Sequence, residues 1–473
     1  MPEISYSQGM TNYMYQNNVR IFDYPKFAEP FKEKIRFNAE RIAKEHGVEI
    51  EFIRKAGIRK ESIISGKIEE RGYHSGIVHI ISVMEACNTY KPWHDKTTGK
   101  TFLKPDTSKC LHYYFYFIDE QVGLGYVRVP TWCPFRLQVY INGHNLLASE
   151  LKQAGIKYTM ADNAFDSLED AGKAQELSDN ISIEKLHRKL DEFAWQFCPV
   201  YKDFKLRYHW SVMQAEYATD IVFKKQEGLQ QIYSELVATA IHIVKPENIA
   251  TFLGHKLDPR YQGEMGNNYN VRIEGSRIKH TMGPVSIKMY DKFSKILRIE
   301  TTANNISFFK HFREVVHRDR TTSHQMAPLK KNIYSLAFLT DNLKASNKRY
   351  MEFISAFDNK EIGRKRLEDV TSSKSENNRN YKGFNFFNTF DLVVLLAILR
   401  GEFNINGFRN KNMQKLLGFN GAKISRLIKR LRVHGLIKKA TNSYKYYLTK
   451  IGKETIIIAQ KIKELVLVPA YCY

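Results

Sequence analysis

The stretch SRLIKRLRVHGLIKK at residues 425–439, followed by TNSYKYYLTKIGK at 441–453, decides how the C-terminal part of this chain folds. Ile424, Leu427, Ile428 and Leu431 recur at i, i+3, i+4 and i+7, the buried stripe of an amphipathic helix. The same spacing turns Lys423, Arg426 and Arg430 toward solvent. Gly435 is placed to close the helix. Leu436 to Lys439, a polar turn at Thr441, Asn442 and Ser443, and Tyr444 to Thr449 read as a two-stranded hairpin. From Lys423 to Lys450 there are nine Lys or Arg and no acid: Lys423, Arg426, Lys429, Arg430, Arg432, Lys438, Lys439, Lys445 and Lys450. A helix with one dry face and one cationic face suits a polyanion.

Upstream, Phe390 to Leu399 is apolar enough for a buried helix and too short to span a bilayer. Asn410 is placed to cap a short helix through Leu417, and Gly418 to Gly421 forms a turn. A last helix is expected from about Lys453 to Leu465. In this order the segment 384–473 resembles the winged-helix domains of MarR-type regulators. The resemblance implies a winged helix-turn-helix whose basic helix enters the DNA major groove while the wing lies on the backbone. A protein-binding winged helix is the rival. The absence of acids across helix and hairpin favours nucleic acid, DNA or RNA.

The chain has 473 residues, enough for several domains, and carries 73 Lys plus Arg against 50 Asp plus Glu, a net charge of +23. Its richness in Lys, Ile, Asn and Tyr also fits an AT-rich coding sequence, so diffuse charge carries no argument and the patterned C-terminal cluster does. The first residues lack a cationic patch followed by an apolar core, so no signal peptide is expected, and no run reaches the length of a membrane span. Cys87, Cys110, Cys133, Cys198 and Cys472 show no paired spacing, which points to reduced thiols and a cytoplasmic protein. Cys110-Leu111-His112 supplies two ligands rather than four, and its aromatic surroundings read as a core strand. No phosphate-binding glycine loop or dinucleotide fingerprint occurs, so no nucleotide cofactor is implied.

The expected fold class is α+β: a mixed α/β core with a mainly antiparallel sheet, a helical N-terminal segment and a C-terminal winged helix-turn-helix. The expected organisation is a helical region at 1–73, an α/β core at 74–260, a sheet-plus-helix region at 261–357, a linker at 358–383 and the winged helix at 384–473. A helix is predicted from Lys330 to Phe357, and the segment around HWSVMQAEYATDIVF is ambiguous between strand and helix.

The segment NVRIEGSRIKHTMGPVSIKMYDKFSKILRIETT, residues 270–302, is read as three strands of period 2: Val271–Glu274, Ser286–Lys292 and Ile296–Thr301. That alternation gathers Arg272, Glu274, Lys288, Tyr290, Arg298 and Glu300 on one outward face, with Arg277, Lys279 and His280 on the loop beside it. Cations to hold phosphate, an aromatic hydroxyl and carboxylates for a divalent metal suit phosphodiester chemistry. The runs GSR, IKMYDK and LRIE resemble those of replication initiators of rolling-circle plasmids and phages. The resemblance implies DNA nicking by a tyrosine with a bound divalent cation. The His-hydrophobic-His metal motif of many such nickases is absent, so Mg²⁺ or Mn²⁺ would fall to carboxylates. The expected catalytic residues are Tyr290, Lys288 and Glu300, and the expected metal ligands Glu274, Glu300, Glu216 and Asp220. Glu216 and Asp220, four apart, share a face as strand or as helix.

Two functional readings follow. One is a nucleic-acid-processing protein of a mobile or replicating element, cleaving or transferring phosphodiesters with a metal and docked by the winged helix. The other is a non-catalytic nucleic-acid-binding protein: an initiator, a regulator or a component of an RNA-guided complex. In the second, the charged sheet face is a salt-bridged surface, with Arg298 paired to Glu274 or Glu300, and with Glu216 and Asp220 satisfied by Arg207 or His209.

Overall fold

The computed structural model describes residues 3–55, 57–257, 263, 265–272, 275–355, 368–441 and 443–463, with the backbone alone at 270–272, 275 and 404. The fold is α+β, in two compact units: residues 1–211 with 332–334, and residues 212–331 with 335–473.

In the first unit, α1 (Ser7–Gln16) and α2 (Tyr24–His46) precede β1 (Ile50–Ile53), α3 (Lys60–Arg71) and a long hairpin of β2 (Gly76–His94) and β3 (Thr101–Asp119). Gly47, at φ 64°, ends α2 in the left-handed conformation that glycine adopts without strain. With β4 (Gly123–Pro130) and β5 (Gln138–Ile141) the strands form a sheet in sequential order. β1 and β2 run parallel and the other neighbours antiparallel. Next come α4 (Gly143–Gln153), β6 (Tyr158–Ala161), β7 (Ala164–Leu168), α5 (Ala171–Asp179) and α6 (Ile183–Phe197).

The run HYYFYF in β3 is buried on both faces. Tyr113, Phe115 and Phe117 belong to a cluster with Ile35 and Ile42 of α2 and Phe193 and Phe197 of α6, whereas Tyr114, Tyr116 and Ile118 pack with Ile64 of α3. Cys110 and His112 are buried in this strand, as the core reading expected. The α3 side holds one polar island. The Glu85 carboxylate accepts from Tyr114 Oη at 2.8 Å, Lys60 Nζ at 3.0 Å and Arg128 Nε at 2.9 Å.

The second unit opens with β8 (Ala215–Val222), so the ambiguous segment is a strand. α7 (Gln226–His242) and α8 (Pro246–Phe252) follow, then a meander of β9 (Met265–Arg272), β10 (Gly275–Met282), β11 (Val285–Lys292) and β12 (Ile296–Ala303). The antiparallel sheet has the order β8-β12-β11-β10-β9. A separate two-stranded ribbon, β13 (Lys310–Val316) and β14 (Thr322–Pro328), precedes α9 (Leu336–Ile354), which starts later than the expected Lys330. Ile278, Ile287, Met289 and Ile299 turn one sheet face into a core with Leu236 and Ala240 of α7 and with Leu339, Leu343 and Tyr350 of α9. Buried Asn347 of α9 links two strands there. It accepts from Thr301 Oγ1 at 2.6 Å and donates to the carbonyls of Tyr217 at 2.9 Å and Ile299 at 3.0 Å.

The loop expected around Arg277, Lys279 and His280 is instead β10. Ile278, His280 and Met282 are buried at 1%, 0% and 2% exposure and alternate with half-buried Arg277, Lys279 and Thr281. Burial pushes the His280 imidazole down to about 4, so it is a neutral core group between Asn267 and Tyr350 rather than a phosphate-binding cation.

The remaining elements are β15 (Lys374–Glu376), β16 (Arg379–Tyr381), α10 (Thr389–Leu399), α11 (Gly401–Asn406), α12 (Asn410–Leu417), α13 (Gly421–Val433), β17 (Ile437–Lys439), β18 (Tyr446–Leu448) and α14 (Lys450–Lys461). Within the stretch read as a linker, residues 374–381 form a hairpin. Leu465 and Asn442 lie outside the described residues. Among the described residues no helix is long and apolar enough to cross a membrane.

Glu85 makes the first unit sensitive to acid. Burial alone would raise its carboxyl, but the hydrogen bonds from Tyr114, Lys60 and Arg128 outweigh burial and hold it at about 2, against 4.5 for the free group. A folded value below the unfolded one gives stability that is present above pH 4.5 and lost as pH falls from 4.5 toward about 2. Glu85→Gln is expected to lower stability at pH 7 and to flatten this part of the acid limb, as read by urea melts at a series of pH values.

Candidate nucleic-acid interface and polar sheet face

The N-terminus of α13 is capped by Asn420, whose side chain accepts from the Lys423 amide at 2.9 Å. Ile424, Leu427, Ile428 and Leu431 are buried, as the spacing requires. Lys423 and Arg426 are exposed, and the Lys423 ammonium lies 3.7 Å from the centre of the Phe419 ring. Lys438 and Lys439 are exposed on β17, and Lys445 is half-buried. The hairpin gains a third stretch that its sequence did not announce. Phe408 and Tyr446 exchange backbone hydrogen bonds of 2.8 Å, which ties the hairpin to the segment before α12.

Arg430 is not on the solvent side. Its guanidinium donates to both carboxylate oxygens of Asp391, at 2.7 and 2.9 Å, and to the carbonyls of Lys382 and Gly383 at 2.8 and 2.7 Å. Only 16% of the Arg430 side chain and 8% of the Asp391 side chain remain exposed. Burial would raise the Asp391 carboxyl, but the hydrogen bonds from Arg430 and the Asn385 amide hold it below its ordinary value. Lys429 pairs with Glu376 of β15, and Arg432 lies 3.7 Å from the same carboxylate. The helix carries no acid of its own, yet Asp391 and Glu376 engage three of its cations from outside. Lys423, Arg426, Lys438 and Lys439 have no acidic partner among the described residues. Arg409, Lys411 and Lys415 of the α12 region, not singled out in the sequence, are exposed as well. Asn410 Nδ2 donates to Ser425 Oγ at 2.8 Å, which sets the start of α12 against the first turns of α13.

The central sheet gathers its charged residues more completely than the sequence reading expected. Register pairs Lys288 with Glu300, Tyr290 with Arg298, Arg298 with Asp220 and Thr302 with Glu216. It also places Arg277 opposite Tyr290 and Lys279 opposite Lys288. Arg277, Lys279, Lys288, Tyr290, Arg298, Glu300, Asp220 and Glu216 therefore share one face. The side chain of Arg272 and all of Glu274 lie outside the described residues.

This face is not an open outward surface. Arg298 and Glu300 are 1% and 8% exposed. Arg298 donates from Nε and Nη2 to Asp220 at 2.6 Å each, a pairing the sequence reading did not anticipate. Glu300 accepts from Lys288 Nζ at 2.7 Å and from Tyr290 Oη at 2.9 Å. Glu216 is about half exposed, accepts from Thr302 Oγ1 at 3.1 Å and lies 3.8 Å from Lys288. Burial, and then the charge of Glu300, push the Tyr290 hydroxyl above its ordinary value, so at neutral pH it is a proton donor and not a phenolate. Lys288 overcomes the effect of burial on Glu300 and holds that carboxyl low.

Glu300 and Asp220 would have to exchange partners before holding a divalent ion. Both Glu300 oxygens and both Asp220 oxygens are occupied by Lys288, Tyr290 or Arg298, and an ion would have to displace Lys288. Among the described residues no group of three His, Cys, Asp or Glu is arranged to hold a metal. No family model, curated protein or solved structure matches the chain.

The buried Asp391–Arg430 pair separates structure from binding. Arg430→Ala leaves Asp391 buried without its partner and is expected to cost roughly 3 kcal/mol or more in a denaturant melt. Arg426→Ala, at an exposed position, is expected to change stability by less than about 0.5 kcal/mol.

Proposed function

We propose that the protein binds nucleic acid, docking through a C-terminal winged helix-turn-helix at residues 384–463. The observation that carries this reading is the set of exposed cations with no acidic partner among the described residues: Lys423 and Arg426 on α13, and Lys438 and Lys439 on β17. The succession of α10, α12, α13 and the β17–β18 hairpin supports it, because a helix-turn-helix presents the first residues of its second helix to a groove. Lys423 and Arg426 lie on those first turns. Arg430 is instead bound to buried Asp391, and Lys429 and Arg432 meet Glu376.

A second reading is metal-dependent phosphodiester cleavage or strand transfer on the polar sheet face. The observation in its favour is the register that unites Tyr290, Lys288, Glu300, Glu216 and Asp220. Against it, the carboxylates are already neutralised and the Tyr290 hydroxyl is held protonated. Binding without cleavage is the reading this arrangement supports better.

The test is retention of labelled double- and single-stranded DNA and RNA across a salt series. The full chain is expected to bind, with affinity falling steeply as salt rises. Lys423→Ala/Arg426→Ala is expected to reduce the slope of log affinity against log salt by about 2, since each phosphate contact to a duplex contributes about 0.9. No retention of any oligonucleotide refutes the reading. Products on a denaturing gel that require Mg²⁺ or Mn²⁺ and vanish in Tyr290→Phe establish the second reading in place of binding alone.

A further inference from the structure

The ribbon of β13 and β14 stands outside the five-stranded sheet, and its base is firmly set. Phe309, Ala327 and Leu329 are buried there, the Leu329 amide donates to the Phe309 carbonyl at 2.9 Å, and the His311 ring lies 4.4 Å from that of Phe338 on α9. Seven paired residues on each strand carry the ribbon roughly 23 Å from end to end.

Alternation gives the ribbon two unlike faces. Phe312, Glu314 and Val316 share one face with Thr322, His324 and Met326. Phe312 and Met326 are directly opposite each other and are 65% and 60% exposed, and Val316 is 68% exposed. A ribbon that spends its apolar residues on solvent invites association, unless a partner covers them.

The tip supplies the second half of the argument. It is an ordered turn, closed by backbone bonds from His317 to Thr321 at 2.9 Å and from Arg320 to His317 at 3.0 Å. His317 Nε2 lies 2.7 Å from Ser323 Oγ. The acid at the tip, Asp319, accepts from the Thr321 amide and hydroxyl through Oδ1, at 3.1 and 2.7 Å. Arg318 and Arg320 are exposed and have no acidic partner among the described residues. From Lys310 to Lys331 there are six Lys or Arg against two acids. Cations at the tip of a ribbon that also exposes an aromatic along its length favour a polyanion that offers flat apolar rings, which is a nucleic-acid strand and not an apolar protein surface. A two-stranded ribbon fits a major groove, and Phe or Met side chains pack on base faces where steps open or bases are unpaired.

We propose that the β13–β14 ribbon is a second nucleic-acid contact, in which Arg318 and Arg320 hold phosphates while Phe312 and Met326 pack on bases. The proposal rests on the nucleic-acid reading above and adds a site distant in sequence from the C-terminal domain.

The test uses the full chain with labelled duplex and single-stranded oligonucleotides. Arg318→Ala/Arg320→Ala is expected to lower the salt slope on duplex by about 2. Phe312→Ser/Met326→Ser is expected to weaken binding at least about fivefold at fixed salt, with the slope unchanged. A larger loss on single strands identifies unpaired bases as the target; a larger loss on duplex identifies opened steps. All four positions are exposed, so thermal melts of the variants should match the parent. If both variants bind like the parent while Lys423→Ala/Arg426→Ala binds more weakly, the ribbon proposal fails and the C-terminal reading stands. If the parent chain retains no oligonucleotide, both fail. If the parent forms a dimer that Phe312→Ser/Met326→Ser converts to monomer with unchanged oligonucleotide affinity, the patch is a self-association surface and the proposal is overturned.

Discussion

A guanidinium almost fully withdrawn from water has to be matched, because an unpaired buried charge is one of the costliest defects a fold can carry. Arg298 meets this condition through a two-point hydrogen bond to Asp220, and the match decides which strand completes the second unit's sheet. β8 and β12 are far apart in sequence, with α7, α8 and three strands between them. They are gripped from both sides. On the polar face Arg298 holds Asp220, while on the apolar face Asn347 bonds to Tyr217 on β8 and to Ile299 and Thr301 on β12. Lys288 and Tyr290 then satisfy Glu300 on the neighbouring strand pair, so the carboxylates of this face are engaged rather than left open.

The same requirement sorts the cations of the C-terminal domain. Arg430 is largely enclosed and therefore needs Asp391, and Lys429 and Arg432 meet Glu376 of the β15–β16 hairpin. Lys423, Arg426, Lys438 and Lys439 face water with no acidic partner among the described residues. The surface of unpaired cations is thus smaller than the run of Lys and Arg suggests, and it is concentrated at the start of α13 and on the β17–β18 hairpin. At the tip of the β13–β14 ribbon Asp319 bonds within its own turn, and Arg318 and Arg320 face solvent.

Much of the architecture was legible along the chain because its signals are local. The i, i+3, i+4 spacing of Ile424, Leu427, Ile428 and Leu431 specifies which side of α13 is dry, and Gly435 with the polar turn at 441–443 specifies the hairpin. The alternation through Lys288, Tyr290, Arg298 and Glu300 specifies that these side chains share a sheet face. Local periodicity carries such information because a residue's facing depends on its near neighbours in sequence. Around Arg277, Lys279 and His280, where a loop is expected, glycine and serine at the start of β10 mask a period that Ile278, His280 and Met282 carry plainly.

By itself the sequence determined the α+β class, the amphipathic basic helix and the grouping of the charged sheet residues. Only the tertiary structure decided which charges are spent. Asp220 meets Arg298 across 78 residues, Asp391 meets Arg430 across 39, and Glu376 reaches Lys429 from a stretch that reads as a linker. Ion pairing depends on distance in space and on exclusion of water, and neither quantity is written in the order of residues along a chain.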